Sequence, residues 1–188
     1  MKIKRDTPVD RTIIPAALLP AFKTHCRVEF SRDDQYLTQA LARALDVFER
    51  LTEFHVFGVS YIWTPDWPTG STERLRLPLQ PVEAMVVTDV DGNTDISASY
   101  EIVGEVGTDQ VAQQWLQPVS GASWPAASAS VKLTIGYADA AAVPPGIVDI
   151  AFRVGSFLYE NRDMTAITAV DVMAYANSFI TGYWVPRA

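Results

Sequence analysis

Near residue 54 the hydrophobic period of the chain changes, and the change divides it into two kinds of structure. From Asp33 to about Phe54 the residues Leu37, Leu41, Leu45 and Phe48 recur at three- and four-residue spacing, with Ala40, Ala44 and Leu51 widening the stripe. That spacing predicts an amphipathic helix with one buried face. The segment that follows, His55 to Trp63, is rich in Val, Phe, Tyr and Ile and reads as a strand. Thr64, Pro65, Asp66, Trp67, Pro68, Thr69 and Gly70 end it.

Other elements follow from the same signals. Ser31 stands where an N-cap belongs, with Asp33 and Asp34 in the first turn facing the positive end of the helix dipole. A shorter helix is predicted between Pro15 and Arg27, with Pro20 as a break or a new first turn. Strands are predicted at Glu73 to Leu77, Val82 to Thr88, Tyr100 to Val103, Gln113 to Gln117 and Ser130 to Tyr137, with Asp91, Gly92 and Asn93 as a tight turn. A helix opens at Pro144 and Pro145, carries Ile147, Ile150, Ala151, Val154, Phe157 and Leu158 on one face, and ends near Asn161. A last helix runs from about Ala166 to Ile180, stopped by Gly182. The predicted class is α+β: a single domain whose N- and C-terminal helices (about 15–55 and 144–182) form a bundle, with an inserted antiparallel β region (about 56–137) and a tail at 183–188.

At 188 residues and 48% hydrophobic positions the chain can bury a sizeable core. Its apolar runs, such as Ile13 to Leu19, are interrupted by Pro15 and Pro20, so no membrane span is expected. The N-terminus has basic residues but no apolar run of signal-peptide length, so the protein is expected to be made and used in the cytoplasm. With 15 basic and 22 acidic residues the net charge is −7, which argues against tight capture of DNA by the chain as a whole. An acidic wall would let a duplex slide past.

The search for chemistry finds little. Only His25 and His55 could serve as imidazole bases, and neither adjoins a nucleophile motif. His25 and the single cysteine, Cys26, lack the further ligands of a structural metal site. Gly104, Glu105, Val106 and Gly107 have neither the Lys-Ser/Thr of a phosphate loop nor dinucleotide spacing. Asp89, Asp91, Asn93 and Asp95 alternate as in a calcium loop, but Gly92 is misplaced and Tyr100 stands where the closing acid belongs, so a hairpin is the better reading. No catalytic, cofactor or metal site is expected. Trp63, Trp67, Trp115 and Trp124 belong to the core or, if exposed, would make a carbohydrate-binding or other interaction surface.

Several ordered segments resemble one family, the head-tail connector (adaptor or head-completion) proteins of siphophages and gene transfer agents. Ala21 to Val28 resembles its "A-x-x-H-L-R-V" element, with Cys26 in place of Leu. Leu75 to Val82 is similar to its "L-P-x-x-P-V" strand, and Val90 to Asn93 to its "D-x-D-G" hairpin. Leu133, Thr134, Ile135, Gly136, Tyr137, Ala138 and Asp139, then Val143, Pro144, Pro145 and Ile150, resemble its "Y-x-x-G-Y-x-x-x-x-x-V-P-x-x-I" passage, and Leu158, Tyr159, Glu160, Asn161 and Arg162 its "L-Y-E-N-R" ending. The resemblance implies a helical core with an inserted β region and a structural role. Copies would form a ring, a dodecamer in the particle, beneath the portal, extend the DNA channel without sequence-specific binding, and carry a stopper or tail-completion protein. It would be a virion protein of the head-tail junction, assembled in the bacterial cytoplasm.

In such a ring each subunit needs two different side faces. Asp149, Arg153, Glu160 and Arg162 are the candidate ring-interface residues, whose opposite charges can pair between neighbours or along the same helix, the local pairing being the safer reading. Phe179, Tyr183, Trp184, Val185, Pro186 and Arg187 are the candidate portal-binding residues, because a bulky apolar segment follows the last predicted helix; it can either anchor into a neighbour or fold back onto the helices.

Overall fold

The computed structural model describes residues 2–52, 54–68, 73–89, 94–104, 114–125, 129–162 and 168–180. These fall into two compact units: one takes in the described residues of Met1–Val9, Phe57–Gly107 and Ala112–Gly136, the other those of Asp10–Val56 and Tyr137–Ala188. The α+β class holds, with four α-helices and two antiparallel sheets among the described residues.

The first unit is the β unit. Its strands are β1 (Lys2–Arg5), β2 (Val59–Thr64), β3 (Leu75–Arg76), β4 (Val82–Thr88), β5 (Tyr100–Val103), β6 (Trp115–Pro118) and β7 (Ser130–Ile135). They form a four-stranded sheet in the order β1-β2-β7-β4 and a three-stranded sheet in the order β3-β6-β5. Period-two alternation decides which face is buried: along β7 Val131, Leu133 and Ile135 are fully buried while Lys132 is exposed. Those three join Val59, Trp63 and Val87 from the same sheet, and Leu77, Tyr100 and Leu116 complete one core.

Strand β1 was not expected from the sequence. Its four residues are all exposed, so it carries no buried stripe for a pattern to show, and it exists because β2 offers an unpaired edge. In chain order a strand therefore precedes the first helix. Strand β2 starts at Val59 and not at His55, since Phe54 and Val56 are buried in the other unit.

The second unit is helical: α1 (Ile13–Cys26), α2 (Asp34–Thr52), α3 (Pro145–Glu160) and α4 (Ala169–Ile180). Helix α2 packs against the other three, because its stripe Leu37, Leu41, Leu45 and Phe48 is buried to within 1% of its surface. Each such side chain contributes about 1.5–3 kcal/mol relative to exposure. Helix α1 runs through Pro20 without ending. A proline lacks the N–H that would bond the carbonyl one turn back, while downstream the Thr24 hydroxyl donates to the Pro20 carbonyl at 3.1 Å. The N-terminus of α2 also differs from expectation. The Leu37 amide bonds the Asp33 carbonyl at 2.8 Å, which places Asp33, not Ser31, at the boundary, while the Asp34 amide donates to the Ser31 carbonyl at 3.2 Å. At α3, Pro144 is the N-cap and Pro145 begins the helix, as predicted.

Candidate interaction surface

The ending of α3 is a clasp. Asp33 Oδ2 accepts hydrogen bonds from the Tyr159 hydroxyl at 2.7 Å and from Arg162 Nη1 at 2.8 Å. The Arg162 guanidinium lies 5.0 Å from the Tyr159 ring centroid and 5.9 Å from that of Tyr36. Tyr36 in turn donates to the Leu158 carbonyl at 3.3 Å, and Asn161 Nδ2 closes the helix on the Phe157 carbonyl at 2.7 Å. The Tyr159 and Arg162 bonds hold the Asp33 carboxyl below the usual carboxylate range, and the same Asp33 bond holds the Tyr159 phenol above its usual value. Asp33, read from the sequence as a helix-start acid, thus ties α2 to α3, and the "L-Y-E-N-R" pattern was the signal that could have found it.

One of the proposed ring-interface residues, Arg153, meets both another of them and a proposed portal-binding residue. Arg153 Nε donates to Asp149 Oδ2 at 2.8 Å, one turn away on the same helix, and its guanidinium lies 5.3 Å from the Phe179 ring. Phe179 meets Tyr175 edge-on at 5.2 Å, and Tyr175 stacks on Phe157 at 4.5 Å. This half-buried aromatic row joins α3 to α4. Arg162 is committed to Asp33, and Glu160 is exposed beside Cys26. Tyr183, Trp184, Val185, Pro186 and Arg187, with Gly182, lie outside the described residues.

The remaining motifs have structural reasons of their own. Gly136 has φ +81°, and a Cβ there would stand 2.4 Å from the Phe57 carbonyl oxygen. Its amide donates to the Pro81 carbonyl at 3.0 Å, so the "L-P-x-x-P-V" and Gly-Tyr segments meet. At Val82, where β4 bulges, the Gln114 side chain replaces a strand: Val82 N–H donates to Gln114 Oε1 at 2.7 Å and Gln114 Nε2 to the Val82 carbonyl at 3.2 Å. In the β unit Trp63 is buried, while Trp67, Trp115 and Trp124 are half-buried. Trp67 and Trp124 stack with Tyr100, and Trp67 Nε1 donates to the Ala129 carbonyl at 3.1 Å. The rings of Trp67 and Trp124 are thus engaged with each other and with Tyr100.

The groups with chemical potential are engaged elsewhere. Burial, and next Glu160, push the Cys26 thiol up to about 11, so it is protonated near neutral pH and a poor nucleophile. His25 lies against Phe22 and Phe152. Around the predicted turn, Val90 to Asn93 lie outside the described residues, but the Asp89 amide bonds the Thr94 carbonyl at 2.9 Å and Thr88 bridges Asp95. Asp95 accepts from both the Ser97 amide and hydroxyl. Among the described residues no group of three or more His, Cys, Asp or Glu could hold a metal, and no helix is long and apolar enough to cross a membrane.

This α+β arrangement is shared along its whole length with chains of phage-like particles. A chain in the virion of the native gene transfer agent particle superposes with a TM-score of 0.64 at 20% identity, covering 100% of this chain and 97% of that one. A chain in the neck of the empty particle, computed with C6 symmetry, gives 0.62 at 22% identity, and one in the neck of the native particle, computed with C12 symmetry, gives 0.57 at 20%; both cover the same shares of the two chains. No protein-family model and no curated protein matches the sequence.

Proposed function

We propose that the chain is a structural subunit of the neck of a tailed phage or phage-like particle: a head-tail connector, or adaptor. The observation that carries this reading is the end-to-end fold match to chains of gene transfer agent virions and necks, on coverage of 100% of this chain and 97% of that one. The ordered motifs support it from the sequence side, and each has a structural reason in the fold. The finer reading is a homo-oligomeric ring, a dodecamer in the particle, beneath the portal. The ring extends the DNA channel, lets genomic DNA pass without reading its sequence, and supports a stopper or tail-completion protein. The neck symmetries of the similar chains, C6 and C12, suit such a ring. A non-enzymatic role follows from the same reading, with assembly in the bacterial cytoplasm and residence at the head-tail junction.

Asp149, Arg153, Glu160 and Arg162 are proposed to lie on the ring sides, and Phe179 with residues 183–187 to meet the portal. Asp149 with Arg153, and Arg162 with Asp33, already pair within one subunit. Their proposed role is to shape a face, and Glu160 is left as the charge that can reach a neighbour. Electron microscopy of particles carrying this chain with a small tag tests the reading. Density for the tag is expected in a ring between portal and tail, and particles lacking the chain are expected to hold DNA but no tail. Tag density in the capsid shell or the tail fibres would sink it.

A further inference from the structure

We propose that the outward face of the four-stranded sheet contacts the sugar-phosphate backbone of duplex DNA through Lys2, Lys4 and Lys132. The chain has four lysines, and strand register brings three of them to this one face. Lys4 pairs with Ile62, Ile62 with Lys132, and Lys132 with Val86. Residues directly opposite share a face, so these four form a row across the sheet. Lys2, opposite Thr64 and two residues along β1, joins the same face. The other face of the same strands holds Trp63, Leu133 and Val87 in the core. All three lysines are exposed, as are Ile62 and Val86 between them.

The spacing suits phosphates. With neighbouring strands about 4.8 Å apart and about 3.4 Å per residue, Lys4 and Lys132 stand about 10 Å apart across the sheet and Lys2 about 7 Å from Lys4 along the strand. A duplex carries one charge per about 1.7 Å of axis, so flexible lysine stems at these intervals can each meet a separate phosphate. Ser60, Thr64 and Thr134 lie on the same face, and hydroxyls of this kind commonly donate to phosphate oxygens.

The face also lacks what other partners would need. The row carries no aromatic ring to stack on a base or a sugar, and a four-stranded sheet is too broad to enter a groove, so contact is with the backbone alone. The only arginine in these four strands is Arg5, which lies on the core-facing side, 5.9 Å from the Tyr61 ring. A carboxylate-bearing protein partner would favour the arginine fork, whereas lysine point charges make weak, exchangeable phosphate contacts that permit sliding. Three acids adjoin the face. Asp6 is paired with Lys132 at 2.7 Å, while exposed Glu83 at the β4 bulge and exposed Asp95, bridged opposite Thr88, sit at the opposite edge from Lys2 and Lys4. An acidic chain thus presents a local cationic patch at the β1 side of this face.

That DNA is the partner rests on the connector reading; the surface itself does not. The test is fluorescence anisotropy of a labelled 30-base-pair duplex of mixed sequence with the full chain, across a salt series from about 20 mM upward. Binding is expected to weaken with a log-log salt slope between about −1.8 and about −2.7, two to three phosphate contacts' worth, because Asp6 already partners Lys132. Replacing Lys2, Lys4 and Lys132 by Gln should lower affinity at least about tenfold and flatten the slope. Lys2→Gln with Lys4→Gln, which keeps the Lys132–Asp6 pair, should fall between, and Arg11→Gln with Arg43→Gln and Arg50→Gln on the helical unit should leave affinity within about twofold. Absence of wild-type binding at the lowest salt, or equal binding by the triple lysine variant, overturns the proposal. So does loss of self-association or portal binding in that variant with DNA binding intact, which would make the face a protein-docking surface. Imaging the variant in particles separates the two readings: a subunit missing from the neck even in the wild type defeats the connector assignment, whereas a neck-resident wild type without lysine-dependent DNA binding defeats only this inference.

Discussion

At the scale of residues, the motifs that look like family signatures turn out to be places where the backbone or a charge has no alternative. Gly136 needs a left-handed φ and has no room for a methyl group against Phe57. Gly136→Ala is expected to cost about 3 kcal/mol or more, summing the left-handed penalty and overpacking, and a urea midpoint equal to that of wild type would refute this. Asp33 makes a pH-dependent contribution through its clasp with Tyr159 and Arg162. Its lowered pKa means that this stability is complete above about pH 4 and is lost as pH falls through the depressed value. The raised Tyr159 pKa means that the phenol's share is complete below about pH 10 and is lost as pH rises beyond it. Asp33→Asn should therefore be less stable than wild type near pH 7, and the gap should close as pH drops toward about 3. Parallel unfolding midpoints across that range would show that the clasp carries no linkage. Asp33 was legible in sequence only as a helix-start acid, because its partners lie 126 and 129 residues away.

At the scale of elements, burial explains which predictions held. Helix α2 and strands β4, β5 and β7 carry stripes of period 3.6 or 2 with one side buried within their own unit, so their positions could be read directly, while β1, with no buried side, could not. The approach of α3 to α1 depends on Gly155, where a Cβ would stand 2.9 Å from the fully buried Phe22 ring. Gly155→Ala should lower stability by about 1–3 kcal/mol, and Phe22→Leu in the same chain should recover part of the loss, read as a coupling in a double-mutant cycle. Strict additivity would mean that the contact does not set the helix spacing. Pro20 shows the reverse case: a strong local breaker that α1 overrides, since Ile14, Leu18 and Phe22 are buried on both sides of it.

At the scale of the whole molecule, the proposed ring makes a prediction about the C-terminal segment. A chain lacking Gly182 to Ala188 should keep its circular dichroism spectrum and thermal midpoint within about 2 °C, since the described core ends at Ile180, yet fail to co-purify with portal. Unchanged co-purification would remove residues 183–187 from the portal interface. What the sequence determined by itself is the α+β class, the two structural regimes on either side of residue 54, and the motif order that resembles the head-tail connector family. Those follow from hydrophobic period and turn chemistry, which are local. Only the tertiary structure decided that Asp33 closes on Tyr159 and Arg162, that Gln114 stands in for a strand at Val82, and that Lys2 and Lys4 share a face with Lys132. Each of these joins residues far apart in the chain through a directional contact or a strand register, and neither leaves a trace in local periodicity.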